Sequence, residues 1–322
     1  MKTLNRAEAA GFFLVHDNFT ILTHSRPDGD TAGSAAALCR GLRQMGKSAW
    51  ILENPELTDR YSWLHEGLTK PEAGQNDTLV AVDIAATNLI PKAFSHLTEK
   101  IALRVDHHAT GMHFAPQELV DSTSASCAEL VCDVLTLLGI QLDKDIATAV
   151  YVGLSTDTGC FRYANTNAHT FRIASICMAV GADIFRLNQQ LFETNSLSKL
   201  RLHAWITEHL EFFQDGRMVI VAIPRLVEDQ LGCTEDDMDN ISAFPRTIAG
   251  VCMAATLRQS KTGQTKISLR AVPGYDAAAV CGEFGGGGHA GAAGAAGASS
   301  ALPLEEAVRA VKDAMLRKGL CQ

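Results

Sequence analysis

Four short segments of the chain carry the side chains whose types and spacing could do chemistry. Their acidic and histidine residues are His24, Asp28, Asp30, Asp83, Asp106, His107, His108 and Asp157. Carboxylate oxygens mixed with imidazole nitrogens suit Mn²⁺, Fe²⁺ or Co²⁺, and the set is too rich in carboxylates for a structural zinc site. All of these residues except Asp106 and His108 are candidate ligands, enough for two ions that share a carboxylate and clamp a phosphate. Without bound cations the carboxylates would repel one another, and some would stay protonated.

Each segment taken alone also has a structural explanation. Asp28 or Asp30 could serve as the N-cap of the helix that follows, with His24 at the surface. Asp83 or Asp157 could be an ordinary turn aspartate, and His107 and His108 could be a pair of polar loop histidines. The combination favours a metal site, because four separate segments each deliver a ligand at the predicted end of a strand or helix.

Alternating strands and helices in the first half of the chain would position these segments. The sequence predicts strands at 19–22, 48–52, 78–82 and 101–105, and helices at 31–45, 126–138 and 143–156. The apolar run at 78–82 is typical of a strand buried inside a parallel sheet. This alternation predicts a doubly wound parallel sheet, whose carboxyl edge would gather Asp83 and His107.

The pattern changes after residue 187. Segment 188–211 is polar and helical, and strands are predicted at 218–223, 250–257 and 266–272, followed by a glycine-rich segment and a closing helix at 304–316. The Gly/Ala run at 291–298 is interpreted as a flexible loop or the start of an alanine-rich helix. We therefore predict a metal-site domain at 1–187, a helical linker at 188–215 and a smaller α/β domain at 216–322.

Composition narrows the classes of protein and of partner. The chain is 47% hydrophobic and 20% charged, which is enough apolar material for folded cores. Its net charge of −8 argues against binding long duplex nucleic acid. Nine scattered cysteines argue against a disulfide scaffold. The sequence has neither a signal peptide nor a membrane-spanning apolar run, so we expect a cytoplasmic protein without a membrane partner.

The four segments also resemble a known family. HSRPDGDTAGS, VAVDIA, VDHHAT and STDTGCF resemble the successive motifs of the DHH phosphoesterase superfamily, and KISLRA and FGGGGHAGAAG resemble its accessory DHHA1 domain. Together they resemble the nanoRNase/pAp phosphatase (NrnA-type) subfamily. The resemblance implies a parallel-sheet doubly wound DHH domain, with a smaller α/β DHHA1 domain attached through the helical linker.

The resemblance also implies roles for individual residues. One divalent ion, most simply Mn²⁺, would be held by His24 and Asp28. The second would be held by Asp30, His107 and Asp157. Asp83 would bridge both ions, and His108 would face the substrate phosphate; these two are the expected catalytic residues. The second domain would grip the terminal nucleotide through Arg270, Gly286, Gly287, Gly288 and His289.

The implied activity is metal-dependent hydrolysis of short RNA oligonucleotides to mononucleotides, and of 3'-phosphoadenosine 5'-phosphate to AMP. A phosphodiesterase for c-di-AMP or pApA is the alternative, and Ala271, where relatives often have Ser, leaves the preferred nucleotide open. A homodimer is compatible with the resemblance. A manganese pyrophosphatase is disfavoured because the chain ends without a cationic clamp, and a non-enzymatic binding protein because no metal ligand is missing. Arg104, before the DHH motif, is interpreted as a solvated strand-end residue, with contact to a phosphate as the alternative.

Overall fold

The computed structural model of the chain describes residues 1–108, 111–295 and 302–320. The chain divides into two compact units, Met1–Thr194 (unit 1) and Asn195–Gln322 (unit 2). The division falls inside the range 188–215 that the sequence predicts as a linker. Among the described helices, none combines the length and the apolar character that crossing a bilayer needs.

Unit 1 is built on a seven-stranded sheet in which every neighbouring pair of strands is parallel. Its strands are β1 Lys2–Thr3, β2 Phe19–Leu22, β3 Ala49–Leu52, β4 Thr69–Lys70, β5 Thr78–Val82, β6 Ile101–Asp106 and β7 Gln117–Val120. Their order in the sheet is β1-β7-β6-β5-β2-β3-β4. Apolar side chains of alternate residues enter separate cores on the two faces. The predicted doubly wound parallel sheet is confirmed.

The helices of unit 1 are α1 Arg6–Val15, α2 Gly29–Gln44, α3 Asp59–Ser62, α4 Cys127–Leu137, α5 Lys144–Asp157, α6 Ala168–Val180 and α7 Ile184–Asn188. Polar N-caps fix where the helices next to the sheet begin: Asp28 caps α2, Ser126 caps α4 and Asp143 caps α5. Helices α2 and α5 pack backbone to backbone, since a Cβ at Gly33 would lie 2.4 Å from the carbonyl oxygen of Ala149. This packing brings the start of α2 close to the end of α5.

Unit 2 contains a six-stranded sheet, in the order β12-β13-β11-β10-β9-β8. Its strands are β8 Glu211–Phe213, β9 Met218–Ile223, β10 Met253–Gln259, β11 Thr265–Ala271, β12 Gly287–His289 and β13 Ala292–Ala295. Its helices are α8 Leu197–Glu208, α9 Arg225–Leu231, α10 Ala277–Gly282 and α11 Leu304–Lys318. Of the strand pairs formed by the described residues of unit 2, β9 and β10 pair in parallel and the others are antiparallel. The second, smaller α/β unit is also confirmed.

Two local predictions are wrong. The single helix predicted at 188–211 is interrupted: α7 ends at Asn188, a π-helical turn covers Gln189–Glu193, and Ser196 caps a new helix, α8. The Gly/Ala run is neither a loop nor a helix over its described part, because Ala292–Ala295 forms β13 between β11 and β12. Residues 296–298 of that run lie outside the described residues.

Candidate metal centre

The ends of strands and helices in unit 1 deliver the predicted ligands to one place. His24 follows β2, Asp83 follows β5, and His107 follows β6. Asp30 lies in the first turn of α2, and Asp157 is the last residue of α5. Because the parallel strands share a carboxyl edge, these side chains meet there.

Three overlapping groups of possible ligands form at this edge. They are His24, Asp28 and Asp83; Asp30, His107 and Asp157; and Asp83, His107 and His108. Within each group the ligand atoms lie within 4.8 Å of one another. The six candidate ligands and His108 are therefore neighbours in space, with Asp83 and His107 each shared between two groups.

The spacing of the atoms suits a shared cation better than hydrogen bonding. His24 Nε2 lies 3.6 Å from Asp28 Oδ1 and 3.7 Å from Asp83 Oδ2. His107 Nε2 lies 3.7 Å from Asp30 Oδ2, and the same distance separates it from Asp157 Oδ2. Hydrogen bonds to nitrogen are shorter, about 2.7–3.2 Å. Two ligands about 2.1 Å from one ion, at ordinary coordination angles, would be separated by about 3.0–3.6 Å.

A buried carboxylate oxygen supports the same conclusion. The Asp83 side chain is 3% exposed, and among the residues that the structure describes its Oδ1 has no hydrogen-bond partner. Its backbone is left-handed, with φ of 57°. An unsatisfied buried charged oxygen is costly, and a cation would remove that cost. The residues present therefore fit a bound divalent metal.

Hydrogen bonds orient both histidines so that Nε2 faces the carboxylates. His24 Nδ1 donates to the carbonyl oxygen of Ser25 at 2.8 Å. His107 Nδ1 lies 3.4 Å from the carbonyl oxygen of Ser124. With the proton on Nδ1, the lone pair on Nε2 is available to a metal, which is the usual arrangement of ligating histidines.

Further residues, which the sequence interpretation did not include, form hydrogen bonds to the carboxylates of the candidate ligands. The backbone N–H groups of Cys127 and Ala128, at the start of α4, donate to Asp30 at 2.7 and 2.9 Å. Asn165 Nδ2 lies 3.2 Å from Asp157 Oδ2 and also donates to the carbonyl oxygen of Ala125 at 2.8 Å. The helix predicted to start near residue 126 could have indicated free N–H groups at Cys127 and Ala128, because the first amides of a helix lack partners within it. Nothing in the local sequence indicated the role of Asn165.

Crowded carboxylates shift one another's protonation. Burial, followed by the charge of Asp157, raises the pKa of Asp30 to about 7. Burial, followed by the charge of Asp28, raises the pKa of Asp157 to about 7. Burial and the charges of Asp30 and Asp28 raise the pKa of Asp83 well above its usual range. The cluster therefore carries protons that a metal ion would displace.

His108 is held differently from the other two histidines. Its Nδ1 lies 2.7 Å from Asp106 Oδ1. Although burial lowers the pKa of His108, the hydrogen bond and the charge of Asp106 raise it above its usual value. Arg104 pairs with the other oxygen of Asp106 and is buried, with a side chain 1% exposed. The prediction of a solvated Arg104 is therefore wrong, because its partners on β6 and β7 enclose it.

In unit 2, the backbone places the predicted substrate-binding residues on adjacent strands. Arg270 pairs with Ala292, and Ala292 pairs with His289, in the sheet register. A Cβ at Gly286 would lie 2.3 Å from the carbonyl oxygen of Gly294, so this glycine is needed for strand packing. At Gly288, φ is 140° and a Cβ would lie 2.6 Å from the carbonyl oxygen of Ala292, whereas in the described part of the chain Gly287 has open space beside it.

The chain matches known proteins over nearly its whole length. Residues 18–154 match the DHH family, N-terminal domain, and residues 216–317 match the DHHA1 domain. The bifunctional oligoribonuclease and PAP phosphatase NrnA of Thermus thermophilus is 32% identical over 93% of this chain and 90% of that protein. The chain belongs to the DHH/DHHA1 phosphoesterase family, in its NrnA subfamily.

One solved structure and one further relative are also similar to this NrnA-type chain. The crystal structure of an exopolyphosphatase-related protein from Bacteroides fragilis superposes with a TM-score of 0.81 at 25% identity, covering 97% of this chain and 96% of that one. The cyclic-di-AMP phosphodiesterase GdpP of Bacillus subtilis is 25% identical over 92% of this chain but 47% of its own length. Proteins with several different activity names are therefore similar to this chain over most of its length.

Proposed function

We propose that the protein hydrolyses short RNA oligonucleotides to mononucleotides and 3'-phosphoadenosine 5'-phosphate to AMP. The observation that carries the proposal is the cluster around Asp83, whose buried Oδ1 lacks a hydrogen-bond partner among the described residues. The relative from Thermus thermophilus, named an oligoribonuclease and PAP phosphatase, supports the choice of substrates. A net charge of −8 also favours short substrates over long duplexes.

We assign two divalent ions, Mn²⁺ in preference, to the cluster. His24 and Asp28 are the proposed ligands of one ion, and Asp30, His107 and Asp157 of the other, with Asp83 between them. Bound ions of this kind lower the pKa of water and neutralise charge on phosphoryl oxygens. The mixed oxygen and nitrogen donors fit Mn²⁺, because a zinc site would be expected to contain thiolates or more imidazoles.

The chain's own residues supply positioning and protons. The amides of α4 and the side chain of Asn165 keep the carboxylates of Asp30 and Asp157 turned towards the ions. His108 is engaged at Nδ1 by Asp106, which stabilises the imidazolium, so Nε2 is the atom that would donate to a phosphoryl oxygen. Such donors stabilise charge that develops in the transition state.

Unit 2 is the proposed grip on the substrate. Arg270 supplies a cation, and His289 and the backbone at Gly286, Gly287 and Gly288 supply further contacts to a terminal phosphate. Gly287 is the position where open space would admit a phosphate close to the backbone. Gly286 and Gly288 would act indirectly, since their packing shapes the strand that presents Gly287.

A substrate panel with Mn²⁺ tests the proposal. It contains a 5'-phosphorylated dinucleotide RNA, a longer RNA, 3'-phosphoadenosine 5'-phosphate, c-di-AMP and pyrophosphate. We expect mononucleotides from the dinucleotide and phosphate from 3'-phosphoadenosine 5'-phosphate. Asp83→Asn should abolish both activities, whereas Asp77→Asn, a change outside the cluster, should keep them. Turnover by the Asp83 variant, or no turnover of any substrate by the wild type, would contradict the proposal.

A cyclic dinucleotide is the second candidate substrate, and the likeness to GdpP over 92% of this chain favours it. Preference for c-di-AMP in the same panel would keep the metal cluster and change the assigned substrate. We also propose a cytoplasmic homodimer. Sedimentation of the full chain at twice the monomer mass would support the dimer, and a single species of monomer mass would refute it.

A further inference from the structure

Three ionisable side chains are buried together beside the metal cluster without being candidate ligands. Arg104 on β6 and Glu118 on β7 are each 1% exposed, and Asp106 at the end of β6 is 0% exposed. Removing charges from water is expensive, so such a group persists only when its hydrogen bonds are well satisfied. The proposed reaction assigns no role to Arg104 or Glu118.

The guanidinium of Arg104 is bonded on every side. Its Nε donates to the carbonyl oxygen of Ile84 at 2.8 Å, and Nη1 donates to that of Met112 at 2.9 Å. Nη2 donates to the carbonyl oxygen of Ala85 at 3.3 Å and to the Asp106 carboxylate. Nη1 also lies 3.6 Å from Glu118 Oε2. A planar fork of five donors matches this arrangement, and a lysine ammonium could not reach all of it.

The bonds from Arg104 to the carbonyl oxygens of Ile84 and Ala85 fix the backbone next to Asp83. Ile84 and Ala85 directly follow Asp83, whose left-handed backbone costs a non-glycine residue about 1–2 kcal/mol. The N–H of Met112 donates to the Ala85 carbonyl oxygen at 2.8 Å, so the segments after β5 and β6 are joined around Arg104. Arg104 thereby holds the chain on the carboxyl side of Asp83.

The bond from Arg104 to Asp106 fixes the two histidines after β6. Asp106 Oδ2 accepts the hydrogen bond from Arg104, so Oδ1 is available for hydrogen bonds to His107 and His108. Oδ1 accepts from the backbone N–H of His107 at 2.9 Å and lies 2.7 Å from His108 Nδ1. A rotation of the Asp106 carboxylate would therefore turn His108 and shift the backbone of His107.

Glu118 completes the group and fixes the segment that encloses it. Its Oε1 accepts from the N–H groups of Phe114 and Ala115 at 2.9 and 3.1 Å, and His113 Nδ1 lies 2.6 Å from Oε2. Residues 113–115, which precede β7, are in this way held beside Arg104. Glu118 also supplies the second negative charge beside the guanidinium.

We propose that Arg104 is a positioning residue for the metal centre. It sets the conformation at Asp83 through two backbone carbonyls and the orientation of His108 through Asp106. The effect on turnover rests on the proposed function, whereas the effect on metal affinity does not. Groups that orient metal ligands typically change metal affinity or activity about 10- to 100-fold when they are removed.

Arg104→Lys is the first test, because it keeps the charge and loses the fork. The matched control is Arg43→Lys, since Arg43 also donates to two backbone carbonyls, those of Ala49 and Gly67, at the opposite edge of the sheet. Calorimetry of the full chain with Mn²⁺, thermal unfolding, and kcat and KM on the dinucleotide are measured for each. We expect Arg104→Lys to weaken Mn²⁺ binding and lower kcat, each about 10- to 100-fold, with KM unchanged.

Gly111→Ala disturbs the same group without changing any charge. A Cβ at Gly111 would lie 2.2 Å from Arg104 Nη2 and 3.0 Å from the carbonyl oxygen of Ala85, so either the guanidinium or the backbone beside it must move. This variant should lower Mn²⁺ affinity and kcat in the same direction, and it decides the matter if Arg104→Lys does not fold. Arg43→Lys should lose stability while keeping wild-type affinity and kcat.

Two results separate this inference from the proposed function. Folded Arg104→Lys and Gly111→Ala proteins with wild-type Mn²⁺ affinity and kcat would overturn the positioning role. An equal loss of affinity in Arg43→Lys would overturn it too, because the effect would then be general destabilisation. A wild type that turns over none of the substrates would refute the proposed function alone, and the calorimetric comparison would still test Arg104.

Discussion

Replacing Asp30 by asparagine should stabilise the metal-free protein at pH 8 and destabilise the protein in Mn²⁺. Burial and the charge of Asp157 raise the pKa of Asp30 from its usual 3.8 to about 7. Because the pKa of Asp30 is higher in the folded state, folding favours its protonated form. The stability that this form contributes is complete below the unfolded pKa and is lost as pH rises through the folded pKa of about 7. The wild type is therefore weakest, relative to the variant, above neutral pH.

The shift sets the size of the effect. A difference of about 3 pKa units corresponds to about 4 kcal/mol for a fully ionised Asp30, as an upper value for a group that interacts with other carboxylates. Asparagine loses one of the two bonds from the N–H groups of Cys127 and Ala128. An unpaired buried N–H costs about 1–3 kcal/mol. The variant should thus gain about 1–3 kcal/mol at pH 8 in the absence of metal.

Urea unfolding with EDTA and with Mn²⁺, at pH 5 and pH 8, measures this difference. The gain should shrink at pH 5, where the wild-type carboxyl is protonated, and should reverse in Mn²⁺, because the variant loses a ligand. Asp77→Asn is a control that should change stability in the opposite direction. Although burial raises the pKa of Asp77, hydrogen bonds from Lys70 and Thr20 lower it below its usual value. Removing this carboxylate should therefore destabilise the protein at pH 8. The reasoning is refuted if Asp30→Asn is destabilised in EDTA equally at both pH values.

Three other predictions follow from single contacts. His108→Ala should lower kcat about 10²- to 10⁴-fold while calorimetric Mn²⁺ affinity stays near that of the wild type, and a large loss of affinity would instead make His108 a ligand. Asn165→Ala should weaken Mn²⁺ binding about tenfold through its bond to Asp157, and unchanged binding would contradict that role. Gly33→Ala should lower the free energy of unfolding, measured in urea, by about 1–3 kcal/mol, because the added Cβ would lie 2.4 Å from the carbonyl oxygen of Ala149. Wild-type stability would contradict this prediction and mean that α2 and α5 can move apart without cost.

The ligand cluster could be predicted because its residues follow strands that the sequence marks clearly. The apolar run of β5 predicts a buried parallel strand, and Asp83 comes directly after it. The same reasoning places His107 after β6, so the topology alone brings the two together. For these residues local pattern and tertiary position agree.

Arg104 and Gly/Ala strand β13 show why other features could not be predicted. Besides Asp106, Arg104 contacts Glu118 on β7, a four-residue strand that the sequence did not reveal, and the carbonyl oxygen of Ile84, 20 residues earlier in the chain, so its burial could not be predicted from the local sequence. Strand β13 is made of alanine and glycine, which have low strand propensity, and it forms because β11 and β12 pair on both sides of it. In both cases contacts distant in sequence decide the structure.

The glycine contacts between helices have a consequence for the size of ion that fits. A Cβ at Gly153 would lie 2.8 Å from Asp30 Oδ1 and 2.4 Å from the Ala128 Cβ, so no side chain larger than hydrogen fits on α5 beside the Asp30 carboxylate. In an interior packed this closely, the Asp30 carboxylate has little room to move away from its neighbours. Ca²⁺ needs oxygens at about 2.3–2.6 Å and more of them, whereas Mg²⁺ takes about 2.0–2.1 Å. We therefore expect the proposed metal centre to bind small divalent ions in preference to calcium.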